Sequence, residues 1–131
     1  AEQRSPAHDD DFYYIIEGQG PLFHPAFAGV SLGLLHGSQP DYLIMCHDPA
    51  REFIAHCPGR KLPSIKEAIK LNIEMAQITI PSVICIAVSL NTSNLSGNID
   101  KTKLINELNN ELNLPIIDPL IDDVDKIITN L

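Results

Sequence analysis

Residues 12–22 read FYYIIEGQGPL, and the fold expected of the chain follows from how that stretch is taken. Five consecutive β-favouring apolar residues, Phe12 to Ile16, stop at an acid, Glu17, and the glycines Gly18 and Gly20 follow. A continuous apolar run without polar alternation is the pattern of a strand buried on both faces, as in a parallel sheet covered by helices. Ligands bind such sheets outside the carboxyl ends of the strands, so Glu17 stands where a site is expected. A carboxylate there can hold Mg²⁺ or orient a water, and the glycines let a ligand approach the backbone. The same stretch also reads as a strand end and a turn with a solvated acid.

Downstream, strands and helices alternate. Phe27, Val30, Leu34 and Leu35 have helical spacing, with Pro25 suited to a first turn, Gly37 to a stop, and a small-residue face of Ala26, Gly29 and Gly33 that would sit close on the sheet. Tyr42 to Cys46, YLIMC, reads as a second buried strand, and residues 50–63 as a short helical turn and loop around Pro58-Gly59. Ser64-Ile65-Lys66-Glu67 matches a capping box, and Ile65, Ala68, Ile69, Ile73 and Ala76 form the apolar stripe of a helix running to about Ile78. Ser82 to Ser89, SVICIAVS, is a third buried strand; Asp100 caps a helix facing Leu104, Ile105, Leu108 and Leu112 inward. Pro115-Ile116-Ile117 is a short fourth strand, and Val124, Ile127, Ile128 and Leu131 mark a last amphipathic helix. The order β-α-β-α-β-α-β-α predicts an α/β fold: a three-layer, mainly parallel sheet of about four strands with helices on both faces.

The 131 residues suffice for one domain and are 44% apolar, which is enough for a core. A net charge of −8, with no basic cluster longer than Arg60-Lys61, argues against a nucleic-acid groove or an anionic membrane surface. No apolar run reaches spanning length, and the acidic start AEQRSPAHDDD, residues 1–11, is expected to be a linker or frayed end without a signal pattern. Cys46, Cys57 and Cys85 are an odd count at no framework spacing, with Cys46 and Cys85 expected buried in strands, which suits a reducing cytoplasm.

In a parallel sheet the strand ends would gather Glu17 and Gln19, His47 and Asp48, Asn91 and Thr92, and Asp118 along one edge. Glu17, Asn91 and His47 are therefore expected to face one crevice. His24 and His36 flank the first helix; the polar cluster His36-Gly37-Ser38-Gln39 favours a chemical role for His36 more than for His24, which reads as a structural histidine. A zinc site from Cys46, His47, His56 and Cys57 lacks any usual ligand spacing. No G-x-S-x-G elbow, G-x-x-x-x-G-K-[ST] phosphate loop or G-x-G-x-x-G fingerprint is present.

The motifs IIEGQGPLFHPAFAG, LLHGSQPD, IPSVICIAVSLNTS and LPIIDP resemble the C-terminal domain of the D-glutamate N-acetyltransferase-like family, across nearly everything after Asp11. That resemblance implies residues 12–131 as the C-terminal half of a P-loop-NTPase-like domain, similar to dethiobiotin synthetase, with the phosphate loop upstream. It implies that Phe12 to Ile16 with Glu17 corresponds to the Walker B strand and its acid, a Mg²⁺-binding or water-positioning group. It implies Asn91 as a base-reading residue; Glu17, His36 and His47 are the expected catalytic residues, and Gly18, Gln19, Gly20, Gln39, Asn91 and Thr92 the expected cofactor-binding ones. Mg²⁺ with ATP, or acetyl-CoA, would serve the complete protein, and D-glutamate or a similar amino acid would be the substrate. The partner would be a second copy or the missing N-terminal half. Alternatives are a fragment of an ATP-dependent synthetase-like enzyme and a non-catalytic oligomerisation or binding module.

Overall fold

The chain is described from a computed structural model, over residues 13–96 and 100–128. Ile84–Leu90, ICIAVSL, is the central strand β2, flanked by β1 (Tyr42–His47) and the two-residue β3 (Ile116–Ile117) in the order β1-β2-β3. Both pairings are parallel, from Tyr42↔Ile84 to His47↔Leu90 and from Val88↔Ile116 to Ser89↔Ile117. Parallel neighbours need crossovers. These are supplied by α2 (Ile65–Ala76) between β1 and β2 and by α3 (Lys101–Leu112) between β2 and β3. The helix α1 (Ala28–Ser38) precedes β1, and the short α4 (Asp125–Ile128) follows β3. The α/β class and parallel sheet are as expected, with three strands among the described residues. None of the described helices is long and apolar enough to cross a membrane.

The missing fourth strand is the first. Tyr13 to Ile16 form no strand and lie exposed, Ile15 at 96%. An apolar run becomes a strand only when a ladder partner takes up its backbone groups, and among the described residues β1 pairs only with β2. Phe12 and residues 1–11 lie outside the described residues, as do residues 129–131 of the expected last helix.

One face of the sheet is well covered. Ile65 and Ile69 of α2 pack with Val88, Leu90 and Ile116, and Met45, Ile73, Ile105, Leu108 and Leu112 close around them. The start of α2 is held by both arms of its capping box: Ser64 Oγ accepts from the Glu67 amide at 3.2 Å, and Glu67 Oε2 accepts from the Ser64 amide at 2.8 Å. On the other face Ile86, Ala87, Ile117 and Ile127 make a smaller cluster under α4. Ile86 is the extra residue where the register shifts opposite Leu43/Ile44, so it joins Ala87 on that side.

This second face stops short of β1. Tyr42 is 42% exposed, Ile44 47% and neighbouring Ile84 52%, and Cys46, expected to be buried, is exposed as well. The cover expected from α1 goes elsewhere: α1 packs on α2, where His36 Nε2 donates to Met75 O at 2.8 Å. Its small-residue face meets open space, since a Cβ added at Gly29 or Gly33 would touch nothing within 4 Å. Residues 50–63 also differ from expectation, forming a small antiparallel loop bridged at Phe53↔Lys61 and pinned by buried Ile54. His56 and Gly59 turn it with positive φ.

Candidate functional site

The carboxyl ends of β1 and β2 open into a crevice of about 420 Å³ lined by Cys46, His47, Asp48, Arg51, Ser89, Leu90, Asn91, Pro119 and Leu120. Its floor is set by the ladder, which continues one step beyond the strands where the Asn91 amide donates to His47 O at 2.8 Å. One wall is the turn after β1. There Asp48 Oδ1 accepts from the Ala50 amide at 3.0 Å and Asp48 Oδ2 from Asn94 Nδ2 at 2.9 Å. This Asx turn brings Arg51 back toward the crevice, where its guanidinium approaches Asp48 only to 4.0 Å.

The opposite wall is Asn91. Its Oδ1 accepts from the Ser93 amide at 3.1 Å and from Ser93 Oγ at 2.5 Å, which fills the two lone pairs of the carbonyl oxygen. A base-reading asparagine needs a free acceptor beside its donor. Asn91 therefore presents only its Nδ2 donor.

Burial lowers the pKa of His47, against an opposing pull from Asp48, so the imidazole is biased toward its neutral form at pH 7. Although Cys46 is exposed, desolvation by the atoms packed beside its sulfur raises the thiol pKa, and the Glu17 carboxylate raises it further. Glu17 thus acts on one wall of the crevice without lining it.

Thr92, next to Asn91, turns inward. It is fully buried; its hydroxyl donates to Asp118 Oδ2, and its amide donates to the same oxygen at 3.4 Å. The Leu120 amide donates to Asp118 Oδ1 at 3.0 Å, and the Asp118 amide to Asp122 Oδ2 at 2.9 Å. Burial pushes the Asp118 carboxyl up, but the bonds from the Thr92 hydroxyl, the Leu120 amide and the Thr92 amide, together with Lys101, carry it below the ordinary range. Thr92, expected to bind a cofactor, is instead spent on bonding Asp118, which ties the ends of β2 and β3.

Of the expected site residues, the crevice collects His47 and Asn91, with Asp48. Gly18 and Gln19 are exposed beside Glu17 and do not line it. At Gly20 the missing side chain makes room for Phe27, whose Cβ would lie 3.0 Å from an added Cβ, and Gly20 O accepts from Ser31 Oγ at 2.6 Å. This glycine serves the entry to α1, packed against Phe27 and Ser31. His36 and Gln39 lie at the wrong end. Gln39 is the left-handed C-cap of α1, just before β1 begins, about 16 Å along the strand from its carboxyl end. His24 is buried and structural, as read: its Nδ1 accepts from the Ala26 amide at 3.1 Å, which leaves Nε2 to donate to Ala55 O at 2.9 Å.

Arg51 was missed. The signal was local, a cation three residues beyond a strand-end Asp-Pro turn, and it meant little until the turn was seen to fold back. No group of three or more His, Cys, Asp or Glu among the described residues could hold a metal ion. Glu17 could contribute one Mg²⁺ ligand at most.

The model of the DUF1611 family, a domain of unknown function described as its C-terminal P-loop domain, matches residues 2–128. A Pseudoalteromonas sp protein named "D-glutamate N-acetyltransferase" is 46% identical over 134 residues, covering 100% of this chain and 39% of the relative. A Tritonibacter scottomollicae protein of the same name is 36% identical over 118 residues, covering 90% of this chain and 35% of the relative. A crystal structure of a DUF1611 family protein from Anabaena variabilis superposes with a TM-score of 0.74 at 29% identity, covering 87% of this chain and 34% of that one. The chain thus spans little more than a third of the relatives it matches.

Proposed function

Because the chain belongs to the DUF1611 family, as its C-terminal P-loop domain, we propose that it forms the C-terminal part of a D-glutamate N-acetyltransferase-like enzyme and supplies one wall of its acyl-transfer site. The observation that carries this reading is the crevice at the ends of β1 and β2, which a neutral-biased His47 and Asn91 both line. The likeness to two relatives bearing that enzyme name supports the reaction class.

Acetyl transfer to an amine needs three things. The ammonium must lose a proton, the carbonyl oxygen must be stabilised as it becomes an oxyanion, and the thiolate must leave. His47, unprotonated at neutral pH, can take the proton from the substrate ammonium. Asn91 Nδ2, whose own oxygen is occupied by Ser93, is suited to donate to the oxyanion. Acetyl-CoA would supply the activated acetyl group. Glu17 sits close enough to act electrostatically on this wall and is assigned a supporting part in the longer protein, where a phosphate loop would complete the site.

The gene product that carries this chain should acetylate D-glutamate with acetyl-CoA, and His47→Gln should lower kcat by about a hundredfold with an unchanged melting temperature. The acid limb of its pH profile should fall below the ordinary histidine value, since His47 is pushed down. A wild-type protein that transfers no acetyl group, or a His47→Gln variant of full activity, would reject the reading.

A further inference from the structure

The polar groups around the crevice are unevenly committed. Asn91 Oδ1 accepts two hydrogen bonds, and Asp48 accepts through Oδ1 from Ala50 and through Oδ2 from Asn94. These acceptors are thus taken up by the turns after β1 and β2. The donors are not: Arg51 meets Asp48 only at 4.0 Å with its side chain 55% exposed, and Asn91 Nδ2 has no hydrogen-bond partner among the described residues. His47, kept toward neutrality, adds an N–H donor without adding a repelling or attracting charge. In a chain of net charge −8, this small pocket holds one guanidinium at its rim, 4.0 Å from the Asp48 carboxylate that lines it too, whose oxygens are already bonded to Ala50 and Asn94.

We infer that the crevice binds an anionic oxygen group, a carboxylate or a phosphate, between the Arg51 guanidinium and the Asn91 side-chain amide. The planar fork of Arg51 suits either group, because both present paired oxygens to it. This inference rests on the proposed acetyl transfer only for the source of the anion, which would be a carboxylate of the amino-acid acceptor or a phosphate of the acetyl donor. The site itself follows from the commitment of acceptors and the release of donors.

Calorimetric titration of the gene product that carries this chain, with glutarate in one arm and inorganic phosphate in the other, tests it. Saturable binding of either probe is expected in the millimolar range. Arg51→Gln should weaken it about tenfold or more, Arg51→Lys by less, and Lys70→Gln, on the outer face of α2 beside Glu74, not at all. Binding confined to the glutarate arm assigns the carboxylate, and binding confined to the phosphate arm assigns the phosphate. No saturable binding in either arm, or binding that Arg51→Gln leaves unchanged while the melting temperature holds, overturns the inference. Because no turnover is needed, Arg51-dependent binding in a protein that transfers no acetyl group would sustain the anion site and reject only the acetyl-transfer reading.

Discussion

Two notches lie side by side at the carboxyl edge of the sheet, and they are built from similar residues to opposite effect. Between β2 and β3, Thr92 and Asp118 are buried and satisfy each other, with Leu120 and Asp122 completing the set. Between β1 and β2, Asn91 satisfies its oxygen with Ser93, and Asp48 satisfies its two with Ala50 and, across to the turn after β2, with Asn94, while Arg51 and the Asn91 side-chain amide remain uncommitted. A strand end gathers polar groups by topology alone; what those groups do is decided by whether donors and acceptors are matched. The matched notch is a fastening, and the unmatched one is a receptor.

Substitutions should separate the two. Asp118→Ala leaves the Thr92 hydroxyl and the Leu120 amide without their acceptor in a dry site, and should cost about 3 kcal/mol in chemical denaturation. Thr92→Val removes one donor and keeps the shape, so about 1 kcal/mol is expected by the same measurement. The pH dependence follows the sign of the shifts. Asp118 and Asp122 are both held below their ordinary values, so their contribution is present above the unfolded-state carboxylate range and is lost as pH falls through the folded values. Denaturation midpoints should therefore drop on acidification below about pH 4, less steeply in Thr92→Val. At the open notch, Arg51→Gln should change stability by no more than about 0.5 kcal/mol, because its ion pair is exposed and long. A large loss of stability there would mean that the crevice too is a fastening.

The legible parts of the fold were those that carry their own partner. In α2, Ser64 and Glu67 bond each other and the apolar stripe names a buried face; both arms of the box and the packing of Ile65 and Ile69 are present. Tyr13 to Ile16 carry the hydrophobicity of a strand but nothing that says which backbone will pair with them. Cys46 was misplaced for a related reason, since burial on both faces of β1 assumed that α1 would cover it. At the site, the strand-end rule placed His47 and Asn91 at one crevice. It could not foresee that Ser93 would fill the oxygen of Asn91, or that Thr92 would turn away to Asp118. His36 and Gln39 show a neglected consequence of right-handed crossovers: a helix feeding a parallel strand ends at the strand's amino edge, far from the ligand edge.

The sheet order β1-β2-β3 repeats the order of the chain. Each strand can therefore dock on the one made just before it, and the sheet can grow outward as the polypeptide leaves the ribosome. The last of the described strands, β3, is only two residues long; Ile116 and Ile117 are buried in the core, and Asp118 just beyond them reaches back to Thr92. A contact that forms last in assembly is absent from the folding transition state, so weakening it should speed unfolding while leaving the rate of folding almost unchanged.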